Sequence, residues 1–124
     1  MREGTGRVKV AEAAGFCFGV QRALEMALEK ARAESRKPVY ALGPLIHNNQ
    51  VVGQLEDMGV RVVKSVSEAL GGVLIIRAHG VPESIIKEAE ALGIEVADTT
   101  CPFVKRVHER ARELRAEGYD LVIV

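Results

Sequence analysis

The sequence predicts an α/β fold, an open parallel sheet with helices on both faces. Short runs of β-branched residues alternate with segments of helical periodicity along the chain, and this alternation is typical of parallel sheets. The chain has 124 residues, of which 48% are hydrophobic and 27% are charged. That length corresponds to about one domain, and that composition is typical of a folded protein with a core.

Six segments have the composition of short strands. They are residues 8–10, 39–41, 60–63, 73–76, 94–97 and 121–124. Helical periodicity appears between them, and the first helix has an apolar stripe with a period of about 3.6 residues. The stripe consists of Val20, Ala23, Leu24, Ala27, Leu28 and Ala31.

Four further helical segments are predicted. The second helix covers about residues 49–58, and a short helical piece covers 67–70. The next helix has Pro82 in its first turn and stops at Gly93, and the last begins near Pro102 and ends at Gly118. Proline favours the first turn of a helix and glycine favours its end.

The last six residues, 119–124, have the composition of a buried parallel strand with no loop after it. In α/β proteins the loops that follow such strands carry the functional groups. The sequence therefore favours a chain that is a piece of a longer protein. The alternative is a terminal strand that closes the sheet.

The charge balance excludes some classes of partner. Seventeen basic and seventeen acidic residues cancel, and the isoelectric point is about 6.8. This balance gives no electrostatic reason to expect nucleic acid or an anionic membrane as partner. No run approaches the ~18 apolar residues of a membrane-spanning helix, and the N-terminus lacks the apolar segment of a signal peptide. We therefore expect a cytoplasmic protein whose two cysteines stay reduced.

Both cysteines and two of the three histidines lie in the segments just past the carboxyl ends of predicted strands. In chain order they are Cys17, His47, His79 and Cys101. The carboxyl ends of parallel strands meet at one edge of a sheet, so we expect these side chains to converge on one crevice. Histidine can donate protons to an anion or coordinate a metal, and cysteine binds metals as the thiolate.

Each cysteine lies at the predicted N-terminus of a helix, where free amide groups and the helix dipole stabilise negative charge. This position favours the thiolate form. Gly15 and Gly19 beside Cys17, and Pro102 beside Cys101, leave room for a bulky inorganic group. A single cysteine is more often a small buried hydrophobe, but two at matching positions favour a metal site.

Other polar residues have plainer explanations. His108 is expected on the partly exposed flank of the last helix, outside the crevice. Asn48 is equally suited to capping the second helix and to contacting a ligand. Thr99 and Thr100 are predicted N-caps of the last helix.

Four motifs follow the predicted strands. They are Ala14-Gly15-Phe16-Cys17-Phe18-Gly19-Val20, Gly43-Pro44-Leu45-Ile46-His47-Asn48, Arg77-Ala78-His79-Gly80-Val81 and Asp98-Thr99-Thr100-Cys101-Pro102. In this order and spacing they resemble the motifs of the 4-hydroxy-3-methylbut-2-enyl diphosphate reductase family. These iron–sulfur enzymes end the methylerythritol phosphate route to isoprenoids.

The resemblance implies an architecture. Family members have three similar α/β lobes around a central cluster and are well over twice as long as this chain. Residues 1–98 would then be the first lobe, carrying Cys17, His47 and His79. Residues 99–124 would be the opening helix and strand of a truncated second lobe.

The resemblance also implies roles for individual residues. Cys17 and Cys101 would be two of the three cysteine ligands of a [4Fe–4S] cluster, and His47 and His79 would hold the substrate diphosphate. In the family, the remaining iron engages the substrate hydroxyl group. Two electrons and protons then remove that group as water and give isopentenyl and dimethylallyl diphosphates. An external donor of the ferredoxin or flavodoxin type would supply the electrons.

The third cysteine, a further histidine and the proton-delivering glutamate of the family would lie beyond Val124. The resemblance therefore implies no catalytic residue within this chain, and we expect the chain alone to be inactive. Two other interpretations remain open. One is a small module in which the two cysteines and His47 and His79 form a closed tetrahedral zinc site. The other is a non-catalytic assembly domain whose sheet a partner chain completes.

Overall fold

The computed structural model describes residues 6–33 and 37–124. Within them the elements follow each other in the order α1 (Phe18–Arg32), β1 (Val39–Leu42), α2 (Asn49–Asp57), β2 (Val60–Val63), a 3₁₀ turn (Val66–Ala69), β3 (Val73–Ile76), α3 (Glu83–Ala91), β4 (Glu95–Asp98) and α4 (Pro102–Ala116). The predicted α/β class is confirmed.

The four strands form one parallel sheet in the order β2-β1-β3-β4. Val39 of β1 pairs with Val60 on one side and with Val73 on the other, and Val73 pairs in turn with Glu95. The central strands β1 and β3 are therefore hydrogen-bonded on both sides, whereas β2 and β4 are the edges.

Side chains alternate between the two faces of the sheet because the strand repeat is two residues. On one face Val39, Ala41, Val73 and Ile75 pack with the apolar sides of α1 and α2. On the other face Leu74 and Ile76 pack with the 3₁₀ turn and α3. Helices thus cover both faces, which explains why β3 is apolar at all four positions.

Local signals set the ends of several elements. The Asn48 side chain caps α2, because its Oδ1 accepts from the amides of Gln50 at 3.0 Å and Val51 at 3.3 Å. Of the two roles that the sequence left open for Asn48, the structure therefore shows the cap. Gly93 follows α3 with a φ of 70°, a conformation that favours glycine. Pro82 is the N-cap of α3 rather than part of its first turn.

Two predicted strands are wrong. Residues 8–10 and 121–124 form no strand, and their side chains are largely exposed, for example 89% for Val8 and 90% for Ile123. A strand requires a hydrogen-bonding partner, and neither edge strand of the sheet pairs with these segments. Their composition alone could not reveal this.

The last helix forms as predicted, but its side chains lie outside the core. α4 contains no buried residue, and Phe103 and Val107 are 61% and 62% exposed. The apolar side chains of this helix therefore belong to neither core cluster. No helix within the described ranges is long and apolar enough to cross a membrane.

Candidate functional site

The sheet order creates a crevice at the carboxyl ends of β1 and β3. The connection from β1 to β2 runs through α2 on one face, and the connection from β3 to β4 runs through α3 on the other face. The two loops therefore diverge between neighbouring strands. Such a switch point is where open α/β sheets bind ligands.

His47 and His79 occupy these two loops. Their rings lie with centroids 6.3 Å apart and planes inclined by 15°, so they are stacked. Both side chains are exposed, and both line the same cavity. Their predicted proximity is confirmed.

The two cysteines line this cavity as well. It has a volume of about 290 Å³, and its lining comprises Cys17, Gly19, Val20, Leu45, Ile46, His47, Ala78, His79, Cys101 and Val104. Cys17 is exposed and Cys101 is buried. The expected convergence of the four side chains is therefore confirmed.

Cys17 reaches the site by a different route from the predicted one. Among the described residues before Cys17 there is no strand, since residues 8–10 are not part of the sheet. Cys17 is instead the N-cap of α1, and α1 leads into β1. A helix that packs on a sheet and feeds the next strand starts at the carboxyl edge of the sheet, which places its N-terminus beside the strand ends.

Cys101 is the N-cap of α4 and is anchored by the backbone. Its amide donates to the carbonyl of Ala78 at 2.8 Å, one residue before His79. The preceding carbonyl, that of Thr100, accepts from Arg22 Nη1 of α1 at 3.2 Å. The loops after β3 and β4 and the first helix are thereby joined at the site.

The prediction that Thr99 and Thr100 are N-caps of α4 is wrong. Cys101 takes that position. Thr99 is fully buried, and its amide and hydroxyl both donate to the carbonyl of Ile76. Thr100 donates its amide and hydroxyl to Asp98 Oδ1. Both threonines therefore shape the turn that presents Cys101.

Asp98 is a site-positioning residue that the sequence analysis did not identify. Its second oxygen, Oδ2, lies 2.9 Å from Nζ of Lys105 on α4. Burial raises the pKa of this carboxyl group, but the hydrogen bonds from Lys105 and Thr100 outweigh it and leave the pKa below its usual value. The carboxylate thus joins the end of β4 to the start of α4.

The environment of His79 favours its neutral form. Partial burial lowers the pKa of the imidazole below its usual value, and the positive charges of Arg77 and His47 lower it further. Arg77 was also not identified from the sequence. Its Nε is buried without a hydrogen-bond partner, and its Nη1 approaches Gly43 in the loop after β1.

His108 lies outside the cavity that the cysteines line, as predicted, and is half-buried. It nevertheless lies close to His79. Both histidines line a neighbouring cavity of about 540 Å³, and the ring of His108 faces Gly80. No pattern of residues in the sequence indicates this proximity.

The closed zinc site is not supported. Among residues 6–33 and 37–124, no group of three or more histidine, cysteine, aspartate or glutamate side chains is placed to hold a metal ion. Four such ligands must converge within ~2.0–2.3 Å of one ion in a structural zinc site. The stacked histidines share the cavity with the thiols without completing a tetrahedron.

Known proteins resemble this chain over most of its length. A family model described as LytB protein matches residues 8–124. The chain is 42% identical over 118 residues to the 4-hydroxy-3-methylbut-2-enyl diphosphate reductase of Alkaliphilus oremlandii (strain OhILAs), which covers 95% of this chain and 42% of the relative. It is 48% identical over 115 residues to the same-named protein of Geobacter metallireducens, covering 93% of this chain and 40% of the relative.

Two solved structures share the fold. One is the structure of (E)-4-hydroxy-3-methyl-but-2-enyl diphosphate reductase, described as the terminal enzyme of the non-mevalonate pathway, with a TM-score of 0.77 and 45% identity; the match covers 90% of this chain and 40% of that chain. The other is the E-1-hydroxy-2-methyl-but-2-enyl-4-diphosphate reductase from Plasmodium falciparum, with a TM-score of 0.82 and 32% identity. This match covers 88% of this chain and 34% of that chain.

The chain spans about two fifths of the length of the curated relatives it matches. The family model, in contrast, covers all but the first seven residues of this chain. On these matches, the chain belongs to the LytB protein family.

Proposed function

We propose that this chain is the N-terminal part of an iron–sulfur oxidoreductase. The parent enzyme reductively removes the hydroxyl group of 4-hydroxy-3-methylbut-2-enyl diphosphate and forms isopentenyl and dimethylallyl diphosphates. The observation that carries this proposal is the shared cavity of Cys17, Cys101, His47 and His79 at the switch point of the sheet. The relatives bear the name of this reductase.

Cys17 and Cys101 would hold a [4Fe–4S] cluster together with a third cysteine from outside this chain. The donor set fits, because thiolates are the usual ligands of such clusters. Each thiol belongs to the N-cap of a fifteen-residue helix, and neither cap side chain hydrogen-bonds to its own helix. When bound, the cluster would pass electrons from the external donor to the substrate and would supply Lewis acidity for removing the hydroxyl group.

His47 and His79 would bind the diphosphate of the substrate. Their stacked rings line the same cavity, and imidazole N–H groups can donate hydrogen bonds to phosphate oxygens. Partial burial and the charges of Arg77 and His47 lower the pKa of His79, which favours its neutral form in the free site. An incoming polyanion reverses this preference because it stabilises the protonated ring.

The third cysteine, a further histidine and the proton-delivering glutamate would come from the rest of the parent protein. The proposal includes an external electron donor of the ferredoxin or flavodoxin type. It also includes a cytoplasmic location, where reducing conditions keep both thiols free for iron.

A chimera tests the proposal directly. This chain would be joined to the part of the Geobacter metallireducens relative that follows the matched region, purified without oxygen and reconstituted with iron and sulfide. We expect about four irons and four sulfides per chain, the spectrum of a cubane cluster, and turnover of the allylic diphosphate with a strong artificial reductant.

The cysteine variants complete this experiment. In the chimera, Cys17→Ser and Cys101→Ser should each lose most of the cluster and the turnover. Stoichiometric zinc with no sulfide in the unmodified chimera would contradict the proposal. Full cluster content in both serine variants would contradict the assignment of the ligands.

A further inference from the structure

The first turn of α1 passes directly against Cys101. Gly19 is buried there, and a Cβ atom built on it would lie 2.7 Å from Sγ and 2.9 Å from Cβ of Cys101. Real Cβ atoms essentially never approach other heavy atoms this closely. Position 19 therefore accommodates hydrogen but no side chain while Cys101 keeps its place.

Cys101 has little freedom to move away. Its amide is hydrogen-bonded to the carbonyl of Ala78, and the neighbouring Thr100 carbonyl accepts from Arg22 of α1. These two hydrogen bonds hold the backbone at Cys101 against the loop after β3 on one side and α1 on the other. A side chain at position 19 has to displace either the sulfur of Cys101 or the first turn of α1, and that turn begins at Cys17.

Helix stability does not explain a glycine at this position, because glycine weakens a helix relative to alanine. Gly53 of α2 provides the contrast. It is also helical, but a Cβ there would meet no atom within 4 Å. Only Gly19 of the two is constrained by its surroundings.

We infer that Gly19 is a positioning residue that sets the sulfur of Cys101 against the same helical turn whose cap is Cys17. The start of α1 thus carries the thiol of Cys17 and contacts the thiol of Cys101. The use of this arrangement for a cluster rests on the proposed function. The arrangement itself does not, since it follows from the contact between Gly19 and Cys101.

Thermal unfolding of the metal-free full chain tests the contact. Gly19→Ala should lower Tm by about 5 °C or more, as overpacking does in a domain of this size. The matched variant Gly53→Ala should leave Tm unchanged or raise it by a few degrees. In a Cys101→Gly background, which removes both contacting atoms, Gly19→Ala should no longer lower Tm.

Thiol chemistry separates a positioning role from a merely structural one. In the folded metal-free chain, alkylation by iodoacetamide is followed for each cysteine by mass spectrometry. Gly19→Ala should speed the modification of Cys101 several-fold, because its buried sulfur is displaced, whereas Gly53→Ala should not. The exposed Cys17 serves as the internal reference. In the chimera, Gly19→Ala should also reduce the iron bound per chain.

The outcomes distinguish the two proposals. If Gly19→Ala matches Gly53→Ala in Tm and in alkylation of Cys101, the inference about Gly19 is wrong. If Gly19→Ala does not fold and the double variant with Cys101→Gly does not fold either, the clash lies elsewhere and the inference is also wrong. If Tm and the alkylation of Cys101 both change as expected but no chimera binds a cluster, Gly19 positions Cys101 and the proposed function fails.

Discussion

His47 and His79 lie side by side with parallel rings, although they come from loops on two different strands. Replacing either by asparagine in the chimera should weaken the binding of inorganic pyrophosphate by about 10–100-fold, the equivalent of one or two hydrogen bonds to a charged group. Calorimetry measures the affinity, and iron content should stay unchanged. His108→Asn is the matched control and should retain normal affinity. Loss of iron with unchanged affinity would instead make the histidines metal ligands.

The protonation of His79 provides a second test at the residue scale. Partial desolvation of the ring lowers its pKa most, and the positive charges of Arg77 and His47 lower it further. We therefore expect His79 to titrate below the usual pH of ~6.5. The unfolded chain then binds the proton more readily, and this residue makes the fold less stable as pH falls below ~6.5. Arg77→Met should raise the pKa of His79 toward 6.5, and pyrophosphate should raise it too.

NMR titration of the imidazole signals measures these shifts. Arg61→Met, which removes an exposed charge on the edge strand β2, is the control and should leave His79 unaffected. A normal or elevated pKa of His79 in the free chain would contradict the expectation. A lowered pKa after Arg77→Met would contradict the role of Arg77.

At the scale of the elements, the turn from β4 to α4 depends on Asp98. Asp98→Asn removes the ion pair with Lys105 and should lower the free energy of unfolding by about 1–2 kcal/mol at pH 7. The folded-state pKa of Asp98 is depressed, so this contribution is complete above the unfolded pKa of ~3.9 and is lost as pH falls through the folded value. The difference between the two proteins should therefore disappear in strong acid.

Urea unfolding at pH 7 and at about pH 2 measures this difference. Asp57→Asn, at the exposed end of α2, is the matched control and should change little at either pH. A destabilisation by Asp98→Asn that is equally large at both pH values would show that charge does not account for the effect.

The cap of α2 is the second test at this scale. Asn48→Ala leaves the amides of Gln50 and Val51 without their acceptor and should cost about 0.5–2 kcal/mol of unfolding free energy. Asn48→Asp keeps the acceptor oxygen and should retain most of the stability. If Asn48→Ala instead weakens pyrophosphate binding at unchanged stability, the residue contacts the ligand.

Across the whole chain, several apolar side chains of α4 and of the residues that follow it are exposed to solvent. α4 exposes Phe103 and Val107, and Tyr119, Val122 and Ile123 are exposed beyond it. Exposed apolar side chains in this number are typical of a contact surface. The four-stranded sheet and its two apolar clusters nevertheless form a core without them.

We expect the 124-residue chain by itself not to reduce the allylic diphosphate. Its described residues bring two thiols to the cavity, where the proposed cluster needs three. The general acid would also be missing, and such a group contributes about 10²–10⁴-fold to a rate. Assay of the reconstituted chain beside the chimera, with the same artificial reductant, measures this. Turnover by the chain alone at a rate near that of the chimera would show that the described residues form a complete site.

Much of the fold could be predicted because its signals are local. The strands at Val39–Leu42, Val60–Val63, Val73–Ile76 and Glu95–Asp98 and all five helical segments lie within a residue or two of their predicted positions. β-branched runs and apolar stripes indicate such elements directly. Residues 8–10 and 121–124 have the same composition but lack partner strands, and pairing depends on distant residues.

The class of the fold and the four side chains of the candidate site could be predicted from composition and motif spacing, because both are local properties of the chain. The way in which those side chains meet could not be predicted and is visible only in the folded chain. Cys17 arrives at the head of α1 rather than after a strand, and Gly19 lies against Cys101. Asp98 stabilises the turn before Cys101 through its ion pair with Lys105, and the charge of Arg77 lowers the pKa of His79. These relations depend on how α1 and the strand ends pack in three dimensions, and residues far apart in the chain carry no local signal of that packing.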